Sequence, residues 1–104
     1  MKRGDIWWAN LPPPVGRRPV VLLSRNAAYA VRASITVAPI TRTVRGIPVE
    51  VPLGPEEGLP KACVVNLDNV LTIPKRSLEQ QINSLPAHKV GEIEQALKFA
   101  LGLR

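Results

Sequence analysis

The chain has 104 residues, 45% hydrophobic and 21% charged, a balance expected of a folded soluble protein rather than a disordered tail. That length supports one domain, residues 1–104, with a single modest core. One Cys and one His exclude an intrachain disulfide, paired-histidine acid–base catalysis and the N/S ligand set of a typical zinc site.

Asp5-Ile6-Trp7-Trp8-Ala9 reads as a strand, with Asp5, Trp7 and Ala9 on one face and Ile6 and Trp8 on the other. Both tryptophans are expected in the core. Leu11-Pro12-Pro13-Pro14-Val15-Gly16 cannot continue a sheet, because its three prolines lack an N–H, and it forms a short, stiff loop. Pro19–Leu23 is a second strand, buried on both faces, and Arg25–Ala33 holds at most a helical turn. Ser34–Thr41 is the third strand, where Pro39 suggests a bulge or an edge position. Ile47–Val51 and Ala62–Asn66 follow, separated by the Gly54–Gly58 turn; Val70–Ile73 and the segment around Gln81-Ile82 supply the last strands, with a turn at Pro74–Leu78. Val90, Ile93, Leu97 and Leu101 recur at helical spacing, with Ser84 as a cap, Pro86 in the first turn, Glu94 and Lys98 paired at i,i+4, and Gly102 at the end. The face running to Leu103 is expected in the core, part of it open to sharing across a dimer. The fold class is therefore mainly β with a C-terminal helix: a small, strongly curved antiparallel barrel closed off by that helix.

Charge is distributed unevenly along this scaffold. Residues 1–49 hold eight Lys/Arg and one acid, whereas residues 50–104 hold six Lys/Arg and seven acids. All of the net +6 thus resides in the first half, on loops between apolar strands, as expected of a protein that grips a polyanion. Four aromatic residues are too few for a wide base-stacking platform. MKRGDIWWAN lacks the apolar core of a signal peptide, and no run approaches the roughly 18–20 apolar residues of a membrane span. Cys63, alone in Ala62-Cys63-Val64-Val65, is expected to be buried and inert and fits a reducing cytoplasm. His88 is expected at the surface. Asp5 and Asp68 are the only aspartates and neither sits in an acidic cluster. No cofactor or metal site is expected, so any chemistry falls to arginines, hydroxyls and at most one carboxylate.

Arg3-Gly4-Asp5-Ile6-Trp7, Gly16-Arg17-Arg18-Pro19-Val20-Val21, Ile40-Thr41, Asp68-Asn69 and a helix closing on Leu101-Gly102-Leu103 resemble, in that order, the MazF/PemK family of toxin endoribonucleases. The resemblance implies an SH3-like barrel that forms a homodimer and cuts single-stranded RNA, often mRNA, at short sequences without a metal. The ribose 2′-hydroxyl attacks the adjacent phosphate, leaving a 2′,3′-cyclic phosphate and a 5′-hydroxyl. A cognate antitoxin with a partly disordered, acidic tail blocks the site. The residue inventory agrees with such chemistry: a substrate that brings its own nucleophile asks the protein mainly for cationic donors to the transition state.

Arg18 stands where the family's catalytic arginine precedes proline. Pro19 biases it to an extended backbone, and its planar guanidinium can donate two hydrogen bonds to a phosphate. Thr41 matches the threonine that the family uses beside that arginine; the plainer role for it is to cap its own turn. Arg17 points away from Arg18 in an extended segment and is assigned a supporting phosphate contact. Arg42, Arg45 and Lys61 flank the groove as a set of backbone-attracting charges. Asp68 lies where some members carry a carboxylate at the RNA site, with Asn69 beside it, although Asp-Asn is also a turn former. PemK-like members place arginines where this chain has Asn66 and Leu71, which leaves Arg18 with more of the catalytic load. The short Pro12–Gly16 loop replaces a longer Gly- and Gln-rich segment, implying a less mobile gate and a different cleavage sequence. Two other readings remain open. One is a CcdB-like gyrase inhibitor, disfavoured because this chain ends Leu-Gly-Leu-Arg rather than Trp-Gly-Ile; the other is a non-catalytic RNA-binding module on an SH3-like barrel.

Overall fold

The computed structural model describes residues 1–104. Seven strands run in the order β1 Asp5–Asn10, β2 Arg17–Leu22, β3 Ser34–Thr41, β4 Glu50–Leu53, β5 Cys63–Asn66, β6 Leu71–Pro74 and β7 Leu78–Ser84. A single turn of helix, α1 Ala28–Val31, precedes β3, and α2 Ala87–Leu101 ends the fold. Strand order across the sheet is β4-β5-β3-β2-β1-β7, all antiparallel, with β6 also on β3. Two register shifts between β1 and β7 add twist at that end. The chain contains no helix long and apolar enough to cross a membrane.

β3 is the strand on which the sheet turns. Its first half, Ser34–Val37, pairs with β6, and its last two residues, Ile40 and Thr41, pair with β5. Pro39 falls in the gap between these partners, so its missing N–H interrupts no ladder on that side. The position expected to be an edge or a bulge is therefore a fork within a central strand. Alternation along β2 and β3 then divides the core into two layers. Val21, Ala38 and Ile40 join Ile6, Val51, Leu53, Val65, Leu67 and Ile93 in the larger cluster. Val20, Leu22 and Val37 join Ala9, Leu11, Tyr29, Ile35 and Ile73 in the smaller one.

The Ile47–Val51 strand begins later than expected, at Glu50, because the Glu50 carboxylate accepts hydrogen bonds from the Arg45 and Gly46 backbone at 2.9–3.2 Å and folds that segment into a loop. Trp7 and Trp8 are half-buried rather than fully in the core. Helix α2 buries Ile93 and Ala96, with Val90, Leu97 and Ala100 partly covered, while Leu101 is 60% exposed. Helical geometry explains the difference: Ala100 lies about 20° around the axis from Ile93, and Leu101 about 80°. Two expected local contacts are also replaced by long-range ones. Ser84 does not cap α2, whose N-cap is Pro86; its hydroxyl donates to buried Asp5 at 2.6 Å. Glu94 pairs with Arg3 at 2.9 Å rather than with Lys98. Both exchanges tie the N-terminal segment to the C-terminal elements.

Gly4 sits at that junction with φ +94°, and a Cβ there would lie 2.5 Å from Val90 Cγ2. Gly4→Ala is expected to lower unfolding stability by about 2 kcal/mol, from left-handed strain plus displacement of α2; a urea midpoint within error of the parent would contradict this packing. Burial of Tyr29, whose hydroxyl donates to the Ser24 carbonyl at 3.0 Å, pushes its phenol up to about 12, with Arg3 pulling weakly the other way. The unfolded phenol ionises near 10, so this stabilisation is complete below that pH and lost as pH rises through about 12. Tyr29→Phe is expected to flatten the fall in chemical stability between pH 9 and 11; equal slopes for both proteins would count against it.

Candidate active site

The β2–β3 ladder stops where two prolines meet it. Its last paired residues are Val20 and Pro39, after Leu22–Val37 and Val21–Ala38. In an antiparallel ladder, hydrogen-bonded and non-bonded pairs alternate. The Leu23 N–H donates to the Thr36 carbonyl at 2.9 Å, which makes Val21–Ala38 the next hydrogen-bonded pair and Pro19–Ile40 the one that would follow, where Pro19 has no N–H to give. Pairing ends here and the strands part. Continuing the register would set Arg18 opposite Thr41, so these two residues flank the mouth of the opening. They share the sheet face of Val20 and Val37, whereas Arg17 and Arg42 lie on the other face.

Two cavities meet at this mouth. The first, about 560 Å³, is lined by Arg18, Thr41, Arg45, Asn66 and Asn69 over an apolar floor that includes Leu11, Val70 and Leu71. The second, about 390 Å³, is lined by Arg17, Arg18, Arg42, Lys61, Trp8 and Thr41. Thr43 and the Arg18–Thr41 pair border both. Five cationic side chains and no carboxylate line the combined groove. This is a surface built to receive negative charge.

The expected residues thus fall into three groups. Arg18, Thr41, Arg45 and Asn69 meet in the first cavity, and Arg17, Arg42 and Lys61 in the second. Asp68 lines neither and is exposed; its backbone N–H donates to Asn66 Oδ1 at 2.9 Å, the turn-forming role. His88 is exposed in the first turn of α2, away from the groove. Arg17 is tethered: its Nε donates to Glu79 at 2.7 Å and its guanidinium lies 4.2 Å over the Trp8 ring. Both partners of that ion pair are about half exposed, so it orients Arg17 more than it stabilises the fold. Thr41 Oγ1 accepts from the Thr43 backbone at 3.2 Å, a long bond that leaves the hydroxyl proton available. Cys63 borders the second cavity but is 6% exposed. Burial and then Glu57 push its thiol up, against a smaller pull from Arg42, so it holds little thiolate near neutral pH. Thr43 and Asn66 were not anticipated as lining residues. Asn66 ends the apolar run Cys63-Val64-Val65 and is itself buried at 4% exposure, a polar residue where the strand pattern asks for an apolar one.

A small, bent antiparallel sheet with a terminal helix, carrying a cationic groove where its central strands part, defines a polyanion-binding class of β protein. The family model for PemK-like, MazF-like toxins of type II toxin–antitoxin systems matches residues 2–101, and the chain belongs to this family. Among its relatives, a probable endoribonuclease MazF2 of Mycobacterium tuberculosis is 35% identical over 103 residues, covering 98% of this chain and 99% of the relative. The M. tuberculosis toxin MazF-mt6 superposes with a TM-score of 0.89 at 38% identity, over 96% of this chain and 98% of that one. An endoribonuclease in complex with its cognate antitoxin, from a mycobacterial species, superposes with a TM-score of 0.87 at 30% identity, over 100% and 97% of the two chains.

The charge of the groove sets its salt response. Four untethered cations, Arg18, Arg42, Arg45 and Lys61, each neutralising one phosphate of a single strand, give a log–log salt slope of about −3 for binding. Fluorescence anisotropy with a labelled oligonucleotide of 2′-deoxy backbone measures it without cleavage; a slope shallower than about −1 would place the strand elsewhere.

Proposed function

We propose that this chain is a sequence-specific endoribonuclease toxin that cuts single-stranded RNA, mRNA included, without a metal, and that residues 1–104 act as one toxin domain in the cytoplasm. Membership of the MazF-like family supports the activity. The observation that carries the site assignment is the Arg18–Thr41 pair flanking the mouth between two cationic cavities.

A strand threaded through both cavities sets its scissile phosphate at this mouth. The 2′-oxygen attacks phosphorus, the new O2′–P bond forms and the P–O5′ bond breaks. The proton lost from the 2′-hydroxyl passes to solvent, and the departing 5′-oxygen takes one up, which yields a 2′,3′-cyclic phosphate and a 5′-hydroxyl. Arg18 acts as a donor throughout, since a guanidinium is not deprotonated in proteins. Its fork stabilises the extra charge that develops on the non-bridging oxygens in the transition state. Thr41 donates its hydroxyl proton to the same phosphate or orients the 2′-hydroxyl. Arg42, Arg45 and Lys61 hold flanking phosphates, Arg17 presents a supporting contact from its seat on Trp8, and Asn69 lies along the first cavity. Asp68 shapes the adjoining turn from outside both cavities. DNA enters the same groove but has no 2′-hydroxyl to attack with.

A cognate antitoxin with an acidic tail meets the same charge requirement and occludes the groove in competition with RNA. The chain works as a homodimer, for which exposed Phe99, Leu101 and Leu103 offer apolar surface that a single copy leaves uncovered.

In chelator, the purified protein is expected to fragment a diverse pool of unstructured RNA into pieces with 5′-hydroxyl ends. Arg18→Ala is expected to lower kcat/KM by roughly 10²–10³-fold, as for loss of one transition-state donor, while RNA affinity falls less than tenfold. RNA left intact by the parent protein would defeat the assignment. Loss of gyrase supercoiling activity in the same preparation would favour the gyrase reading, and tight binding without cleavage the non-catalytic module.

A further inference from the structure

Asn66 is the one buried uncharged polar residue of the core, and it borders the groove beside Arg18 and Thr41. Its orientation is set by chemistry. Oδ1 accepts the Asp68 backbone N–H at 2.9 Å, and an N–H cannot pair with an amide NH2, so the oxygen must face the turn and the nitrogen must face away from it. The turn is held further by the Asn69 N–H on the Asn66 carbonyl at 3.1 Å. No protein acceptor meets Nδ2. Trp7 Nε1 is the only side-chain nitrogen or oxygen that is itself fully buried and without a partner, so the unpaired Nδ2 keeps some exposure, on a residue that lines the cavity. An amide whose donor is turned away from the Asp68 turn thus belongs to the lining of a site that also has Leu11, Pro12, Pro13, Val70 and Leu71. Such walls suit the flat apolar body of a base, while Arg18 and Arg45 of the same cavity serve the phosphates on either side of it.

We propose that the first cavity is a nucleobase pocket in which Asn66 Nδ2 reads a keto oxygen, so that a uracil or a guanine next to the scissile phosphate is selected over cytosine or adenine. Uracil O4 and guanine O6 are acceptors; the corresponding positions of cytosine and adenine carry amino groups. An amino group there meets Nδ2 donor to donor and leaves both unpaired. This assignment rests on the endoribonuclease reading for the position of the pocket, but not for the hydrogen-bond logic. Asn66 is a specificity-determining residue here and takes no part in bond breaking.

Asn66→Asp tests it, because the variant is nearly isosteric, keeps an oxygen for the Asp68 N–H and turns the other atom from donor to acceptor. Arg18 and Arg45 lie in the same cavity to offset the added charge. Sequencing the 5′-hydroxyl ends from a randomised RNA pool is expected to show a tenfold or greater keto preference at one position for the parent protein. Asn66→Asp should invert that preference toward cytosine or adenine, and Asn66→Thr should abolish it without inversion; preferences at other positions should persist in both. An unchanged base profile in Asn66→Asp, or an amino-base preference in the parent, overturns the proposal. Affinity selection of the same pool on Arg18→Ala protein reads the preference from binding alone, so an inactive parent enzyme, which would sink the activity, leaves the pocket assignment still open to refutation. Thermal melts of each variant separate lost reading from lost folding.

Discussion

Strand β3 has to satisfy three neighbours, β2, β5 and β6, and the way it divides itself among them shapes the rest of the molecule. Pairing with β6 ends at Val37 and pairing with β5 starts at Ile40; on the opposite edge, pairing with β2 ends at Pro39. Backbone hydrogen bonding is close to obligatory in a buried sheet, so a proline at the fork and another at Pro19 decide where the ladder can end without stranding a donor. The splay that follows creates the groove. It also brings Arg18 and Thr41, 23 positions apart in sequence, to opposite sides of one opening.

The groove combines two demands that usually conflict. A cluster of like charges is unfavourable in a compact fold, and a small barrel has little apolar area with which to offset it. The chain resolves this by placing the cations at the rim, solvated when no ligand is bound, and the apolar layers of Val20, Val37, Val21 and Ala38 directly beneath. Arg17 is the exception, held by Glu79 and Trp8, and so its position is organised before any phosphate arrives. Acidic side chains are drawn off into structural roles elsewhere: Asp5 binds the Lys2 backbone and Ser84, Glu50 binds the Arg45 and Gly46 backbone, and Glu57 binds the Gly54 backbone. Carboxylates committed to backbone N–H groups do not compete for the arginines of the groove.

Much of this architecture is legible in the sequence. The β3 limits, the helical period from Val90 onward and the sole buried thiol all follow from local pattern, because alternation and helical spacing report which face is apolar. The candidate pair was legible through its neighbours, Arg18 by the proline after it and Thr41 by the strand it ends. Contacts that depend on distant partners were not. Ser84 looked like a cap and bonds Asp5, Glu94 looked like a partner for Lys98 and meets Arg3, and Leu101 looked like core and points outward. In each case the local option was reasonable, and a longer-range one with better burial prevailed. Asn66 shows the same limit at the groove, since a polar residue that closes an apolar strand announces burial only once its turn has folded back onto it.

The order of residues alone therefore determined the class of fold, the sign of the partner's charge and the arginine best suited to a phosphate, because composition, proline placement and periodicity act over a few neighbours. Only the folded chain decided which cations share a groove, which amide is held with its donor facing outward, and which carboxylates are spent on the backbone. Those outcomes depend on where separate strands stop pairing, and that is a property of the whole sheet.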